Sequence, residues 1–592
     1  MGAAGPGPRG GRTGIGSLGF RALPLCAAAV VVVLIALPLA ALLVQAALPD
    51  LFAAPPSLTF SLAGVEGLMA DPYTLAAGVD SLLLAAATAA AASALGIALA
   101  YLLVLTDMPG RGAVWGMVWL VFISPSFLLA QGWELLLAPG GLSASLLGGV
   151  LGRTLLSPWG VLAVLALKLF PFAVLAVAPA LKGIGQDAVH AARLAGASWG
   201  ATWRRVLLPL VAPAILSGAL IVFAEVLSDF GVAATLAQSA NFPLVTYSIY
   251  SALEQFPTNF PEAAAASLLL VAAVALAQWG QRTATGRRLY ATRDGGGRSL
   301  ARVRLGRGRW PAFAACLTLG ALAFAVPAGT TLFASFVPTT AGGLSPHSLT
   351  LANYLEAIRV PYGADAFVRS LVDSLAAAAL GVVLGLGITL AWRRAGDRLT
   401  AVLQGLLTTT IAVPGIVLGA GYIFFWDQPA LSRVGLLLYG SPAALLMAYV
   451  AGGLPYAVRM ATGAVAQIPD SAIQAARAAG AGLGAVVRRI VVPMLADTWL
   501  RIGLMLFAGA MFELPVSELL YPPGAPTLAV AIVHQFHNTQ LGVGAALTAL
   551  STTGVGALAG LVLLTRRLAR PARTRAIASA PTRAVEVGGV AV

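Results

Sequence analysis

Apolar residues in this chain gather into runs of about twenty, each closed by a short polar or glycine- and proline-rich stretch. A helix rises about 1.5 Å per residue, so a run of that length crosses the roughly 30 Å hydrocarbon core of a bilayer. In the first half the runs fall near 23–48, 76–105, 113–137, 158–181, 210–233 and 263–281. In the second half they fall near 312–336, 371–392, 402–426, 442–462, 494–517 and 544–565. A helix satisfies its own backbone in lipid, so the pattern predicts an all-α polytopic membrane protein with about twelve transmembrane helices. The first run follows Arg9, Arg12 and Arg21 but outlasts the core of a cleavable signal, so it counts as a span.

The two sets of six are one pattern written twice. His190-Ala-Ala-Arg-Leu-Ala-Gly196, followed by Arg204-Arg205-Val206 and Pro209, returns as Gln474-Ala-Ala-Arg-Ala-Ala-Gly480, followed by Arg488-Arg489-Ile490 and Pro493. Positions 190 and 474, 196 and 480, and 209 and 493 are each 284 apart. The same offset joins Ser157-Pro158 to Ser441-Pro442, Pro171 to Pro455, and Asp229-Phe230-Gly231 to Glu513-Leu514-Pro515. Register held over that distance marks an internal duplication. The expected division is a tail at 1–22, a first unit at 23–281, a basic linker at 282–310, a second unit at 311–565 and a tail at 566–592.

Composition agrees, with 59% hydrophobic and only 10% charged residues and a mean hydropathy of +0.88. The net charge of +14 suggests nucleic acid until its placement is considered. With the N-terminus in the cytoplasm, Arg111, Lys182, Arg193, Arg204, Arg205, the arginine-rich linker and the final tail all share that side, as the positive-inside rule requires. The opposite loops of the first half hold Arg153 beside Asp50, Glu66, Asp71, Glu254 and Glu262, while Arg359, Arg369 and Arg433 depart from the rule in the second. Both termini are expected inside, which makes the units two parallel six-helix repeats about an axis normal to the membrane. The linker reads as a solvated basic segment beside anionic headgroups. Cys26 and Cys316 lie within apolar runs and imply neither a disulfide nor a metal site.

The repeated segments lie between the fourth and fifth spans of each unit. A simple connection needs no such length. Ala191, Ala192 and Ala195 leave a small-residue helix face that another protein can approach closely. Gly196 and Gly480 stand where that helix stops and reverses, a place for positive φ, and Pro209 and Pro493 suit the first turn of the next span. These segments resemble the EAA loop of binding-protein-dependent ABC importer permeases, roughly E-A-A, three residues, G, nine residues, I-x-L-P. The match covers Ala191, Ala192, Gly196, Val206, Leu208 and Pro209, and again Ala475, Ala476, Gly480, Ile490, Val492 and Pro493. His190 and Gln474 replace the glutamate.

The resemblance implies coupling helices at His190–Gly196 and Gln474–Gly480 that seat in an ATPase. It also implies two copies of that ATPase subunit, a periplasmic or lipid-anchored binding protein, and the bacterial inner membrane. The fused two-unit form resembles ferric-iron permeases most, on Ala224–Gly231, Thr246–Tyr250 and Glu513–Gly524; thiamine and aminoethylphosphonate permeases share the layout.

The chain itself has no phosphate-binding loop. Its only lysines are Lys168 and Lys182, and neither follows a glycine. No catalytic set, cofactor site or metal-ligand spacing appears in the spans, so ATP hydrolysis is expected on a separate chain. Ionisable residues within spans are functional candidates, here Glu134, Lys168, Glu225, Asp229 and Glu513. They either line the translocation path or sit at headgroup depth and close helix contacts. His534 and His537 are one helical turn apart, but their counterparts are Tyr250 and Leu253, so they read as a hydrated surface pair. An ion-gradient-driven secondary transporter is the rival class; it predicts intramembrane charged relays and no cytoplasmic helix pair.

Overall fold

The computed structural model describes residues 15–52, 57–137, 150–184, 186–286, 302–338, 349–359, 363–392, 397–411 and 413–569. Among these, regular structure is helical, and the one β-bridge joins Thr106 to Val303. Nine helices are long and apolar enough to cross a membrane, and three bent helix pairs bring the number to twelve. The first unit contains Leu23–Ala47, Pro72–Leu105, the pair Arg111–Ile123 and Ser126–Leu137, Pro158–Gly183, Trp199–Ser228 and Phe260–Thr283. The second contains Gly306–Ala334, Gly363–Trp392, the pair Arg398–Thr410 and Gly415–Trp426, Pro442–Val465, the pair Gly484–Met494 and Ala496–Met511, and Leu541–Val562.

Two features differ from the straight spans that hydropathy predicts. The third span of each unit is broken, by 96° in the first and 115° in the second. The breaks fall at Ser124-Pro125 and beside Pro414, where the missing amide and the proline ring forbid a continuous ladder. The fifth spans end early, at Ser228 and Met511 rather than near 233 and 517, because the chain restarts as new short helices at Phe230 and Pro515.

Prolines within the helices are absorbed rather than avoided. Wider π turns at 32–36, 203–207, 321–325 and 487–491 each end just before Pro38, Pro209, Pro327 or Pro493. A proline cannot supply the usual amide, and a local i→i+5 turn lets the helix continue past it. Pro209 therefore lies inside a helical run that begins at Trp199, not at its start.

In each unit the second, fourth and fifth spans form the packed centre. The second span approaches the fourth closely in both, since a Cβ on Gly96 would stand 2.4 Å from that of Ala173, and one on Gly385 3.0 Å from that of Ala457. Ala173 and Ala457 are equivalent under the offset of 284, although the two glycines are not. Small residues at such contacts are how helices approach in lipid. The first spans are exchanged: Leu37–Ala47 packs on Gly415–Trp426 of the second unit, and Val326–Ala334 on Ser126–Leu137 of the first. Tyr422 donates a hydrogen bond of 2.8 Å to the Leu34 carbonyl within that contact. The described end of the linker is pinned to the first unit, with the Leu305 amide donating to Asp107 at 2.8 Å. The rest of the basic linker and most of both tails lie outside the described residues.

Candidate functional site

Each repeated segment is built alike. A short helix, 186–194 in the first unit and 470–478 in the second, stops at its glycine. Gly196 has φ of +81° and Gly480 +82°, the left-handed turn expected from the sequence. The turn closes by the same hydrogen bond in both, from the Ala197 amide to the Ala192 carbonyl and from the Ala481 amide to the Ala476 carbonyl, each 3.0 Å. No heavy atom lies within 4 Å of a Cβ built on either glycine, so backbone conformation and not space demands glycine there. His190 and Gln474, at the glutamate position, are both exposed, as are Ala191, Ala475 and the four arginines 204, 205, 488 and 489. Ala192 and Ala476 are half-buried. The shape that a partner meets is thus the same twice over.

The ionisable residues in the spans do not form a second repeated set. Lys168 is only 8% exposed, and its ammonium donates to the carbonyls of Val121, Phe122 and Ser124 at 2.8, 3.1 and 2.5 Å. Those carbonyls end the helix at the 96° break, so Lys168 caps a helix C-terminus where the dipole favours a cation. Asp229 caps the next break: its carboxylate accepts from the Val232 amide at 2.7 Å. Glu513 does the same in the second unit, accepting from the amides of Val516 and Ser517 at 2.9 Å each. The equivalence of Asp229 and Glu513 is therefore one of helix capping. Neither forms an ion pair among the described residues. Glu134 accepts a short hydrogen bond from Ser239.

Glu225 is the exception. It is exposed and has no hydrogen-bond partner among the described residues. Its charge reaches Lys168 and Asp229 in its own unit and the hydroxyl of Tyr456 in the other. Arg459, one turn beyond Tyr456 and equally exposed, acts on the same hydroxyl. Glu225 of the first unit thus lies within electrostatic reach of Tyr456 in the second. Tyr456 gave no signal in the sequence, but Arg459 is an ionisable residue inside the run 442–462, and the rule that selected Lys168 could have found it. The surface reading holds for one histidine of the pair: His537 is exposed and lies 3.2 Å from the Ala234 carbonyl of the first unit, whereas His534 is half-buried and 3.1 Å from Glu518. The two rings serve different partners, and no group of three metal-ligating side chains occurs among the described residues.

The family described as binding-protein-dependent transport system inner membrane component matches residues 92–283 and again residues 381–570. The chain belongs to that family, with its permease unit present twice. Relatives of this permease are named as transport permeases. The probable ABC transporter permease protein y4fN of Sinorhizobium fredii is 28% identical over 449 residues, covering 72% of this chain and 76% of its own. The molybdenum transport system permease protein ModB of Escherichia coli K12 is 31% identical over 185 residues, 31% of this chain and 79% of its own. The sulfate transport system permease protein CysT of Salmonella typhimurium is 26% identical over 263 residues, 44% of this chain and 88% of its own. The permease is thus a membrane-embedded transport subunit of a binding-protein-dependent system.

Proposed function

We propose that this permease is the complete transmembrane pathway of an ATP-driven importer, two units fused into one chain, that engages two ATPase copies through its repeated segments. The pair of glycine-turned helices carries the reading: two surfaces of like shape, each with φ near +80° at its turn, suit two like partners. On this reading the face with the segments, the linker and both termini is cytoplasmic. The opposite face receives cargo from a binding protein. ATP binding draws the ATPase copies together, the segments follow, and the space around Glu225 opens toward the other side. The test is purification from its native membrane: an ATP-hydrolysing chain should accompany it at two copies per permease. Hydrolysis by the permease alone, free of any other chain, contradicts the assignment.

For the cargo we favour a small oxyanion. Ferric iron, the substrate suggested by the fused layout, needs several oxygen ligands handed on in sequence. Of the four carboxylates singled out in the sequence, Asp229 and Glu513 are taken by helix amides and Glu134 by Ser239, which leaves Glu225. Arg459, exposed one turn beyond Tyr456, forms no ion pair among the described residues, and two relatives are named as molybdenum and sulfate transport permeases. The juxtaposition of Glu225 with Tyr456, two hard oxygen donors, is what keeps iron as a second reading. Uptake of labelled molybdate, sulfate, aminoethylphosphonate, iron and thiamine by cells carrying the whole system separates them. Accumulation of iron or thiamine with no oxyanion uptake removes the oxyanion reading and leaves the architecture.

A further inference from the structure

The two units meet again at the end remote from the repeated segments. Tyr250, on the helix Val245–Glu254, and His534, on Leu528–His537, are 284 apart and occupy equivalent places. Both reach the same atom. His534 Nε2 lies 3.1 Å from Glu518 Oε1, and the Tyr250 hydroxyl donates to that oxygen at 3.4 Å. The equivalent of Glu518 is Ala234, and its carbonyl accepts from His537 Nε2 at 3.2 Å. Each unit thus sends a side chain across the pseudo-twofold axis to the same position of the other. The position reached is equivalent in the two units, although the residues that reach it, Tyr250 and His537, are not.

Glu518 is 4% exposed, and its second oxygen has no hydrogen-bond partner among the described residues. A buried carboxylate oxygen left unpaired is costly, and water would satisfy it on opening. The contact is therefore closed but poised. Tyrosines 247 and 521 and the Glu254 carboxylate stand around it, and the Tyr521 ring meets His534 edge-on at 6.0 Å. Among the described residues His534 is the ion-pair partner of Glu518.

We propose that Glu518, held by Tyr250 and His534, is the latch that shuts the path at this end and sets how often it opens there. This rests on the importer reading, in which this end must open to receive cargo. Replacing the Tyr250 hydroxyl removes one cross-unit hydrogen bond and nothing else, because the ring keeps its packing on Phe230 and Tyr247. One such bond of ~1 kcal/mol corresponds to a roughly fivefold change in the open population.

The experiment uses the permease with its ATPase in oriented vesicles, with Cys26 and Cys316 replaced and a single cysteine at Glu225→Cys. An impermeant thiol reagent is added only on the side remote from the repeated segments. With Tyr250→Phe, labelling should rise about fivefold, and with Glu518→Ala further still. On the background without the cysteine, basal ATP hydrolysis without binding protein should rise in the same order. Unchanged labelling in Tyr250→Phe at normal abundance overturns the latch. Labelling does not depend on ATP, so an absence of ATP-driven uptake in the wild type would count against the importer reading and not against the latch.

Discussion

The two units share their shape and differ in their charge. The segments turning at Gly196 and Gly480, the caps Asp229 and Glu513, and the close approaches on Ala173 and Ala457 all recur at an offset of 284. The charged residues between the units do not. Lys168 is matched by Gly452, Glu225 by Gly509 and Glu134 by Leu418, while Glu518 is matched by Ala234 and Arg459 by Leu175. On the proposed reading two like ATPase copies are engaged, so the surfaces that meet them stay alike after duplication. A single cargo crosses one path on the axis, and each residue lining that path need be supplied only once. Repetition therefore marks transmission, and its absence marks the path.

The largest expected effect attacks the repeated part. Valine at both Gly196 and Gly480 forces a β-branched residue into the left-handed region, a strain of roughly 1–2 kcal/mol or more at each turn. Uptake should be lost while membrane abundance stays normal; full uptake in the double variant breaks the comparison at its firmest point. Next comes an unrepeated residue with a structural task. Lys168→Met strands three carbonyls at the break between Ile123 and Ser126, at a cost of several kcal/mol. Thermal unfolding in detergent should shift down far more than for Gly452→Ala, its counterpart.

A smaller, balanced effect should follow at the caps. Asp229→Ala and Glu513→Ala should each cost about 1 kcal/mol, and the two losses should match. A loss of transport at one site alone, with equal stability, would show that one carboxylate also serves the cargo. The smallest effect is a pH dependence at the latch. The hydrogen bond to Glu518 holds the His534 ring above the ordinary histidine pKa. The stabilisation from its protonated form is full below the ordinary value and lost as pH rises through the raised one. Labelling of Glu225→Cys from the far side, taken relative to its His534→Gln counterpart so that the thiol's own pH dependence cancels, should climb as pH rises above 6.5 through the raised value. Glu254, Tyr247, Tyr250 and Tyr521 share the site but lack an ordinary pKa within most of that range.

Much of this was legible in the residues. Runs of apolar side chains locate the spans because lipid accepts little else, and the offset of 284 exposes the duplication. Gly196 and Gly480 announced their turns because few other residues tolerate positive φ. The breaks were hidden because a bent pair such as Arg111–Ile123 and Ser126–Leu137 is as apolar as a straight span. The capping roles of Lys168, Asp229 and Glu513 were hidden for a related reason. Sequence shows that a charge lies in the membrane, and only the fold shows which backbone groups it satisfies. Glu518 escaped because its partners, Tyr250 and His534, lie 268 and 16 residues away. The hint was that those two partners are themselves 284 apart.

The central claim is that the two repeated segments are equivalent seats for one kind of partner. A photoreactive side chain placed at position 191 or at position 475 in the native complex tests it directly. The account predicts that each position cross-links to the same ATP-hydrolysing chain with similar yield, and that a permease carrying both captures two copies. Cross-linking from one position only, or from neither, while the complex still hydrolyses ATP, would contradict it.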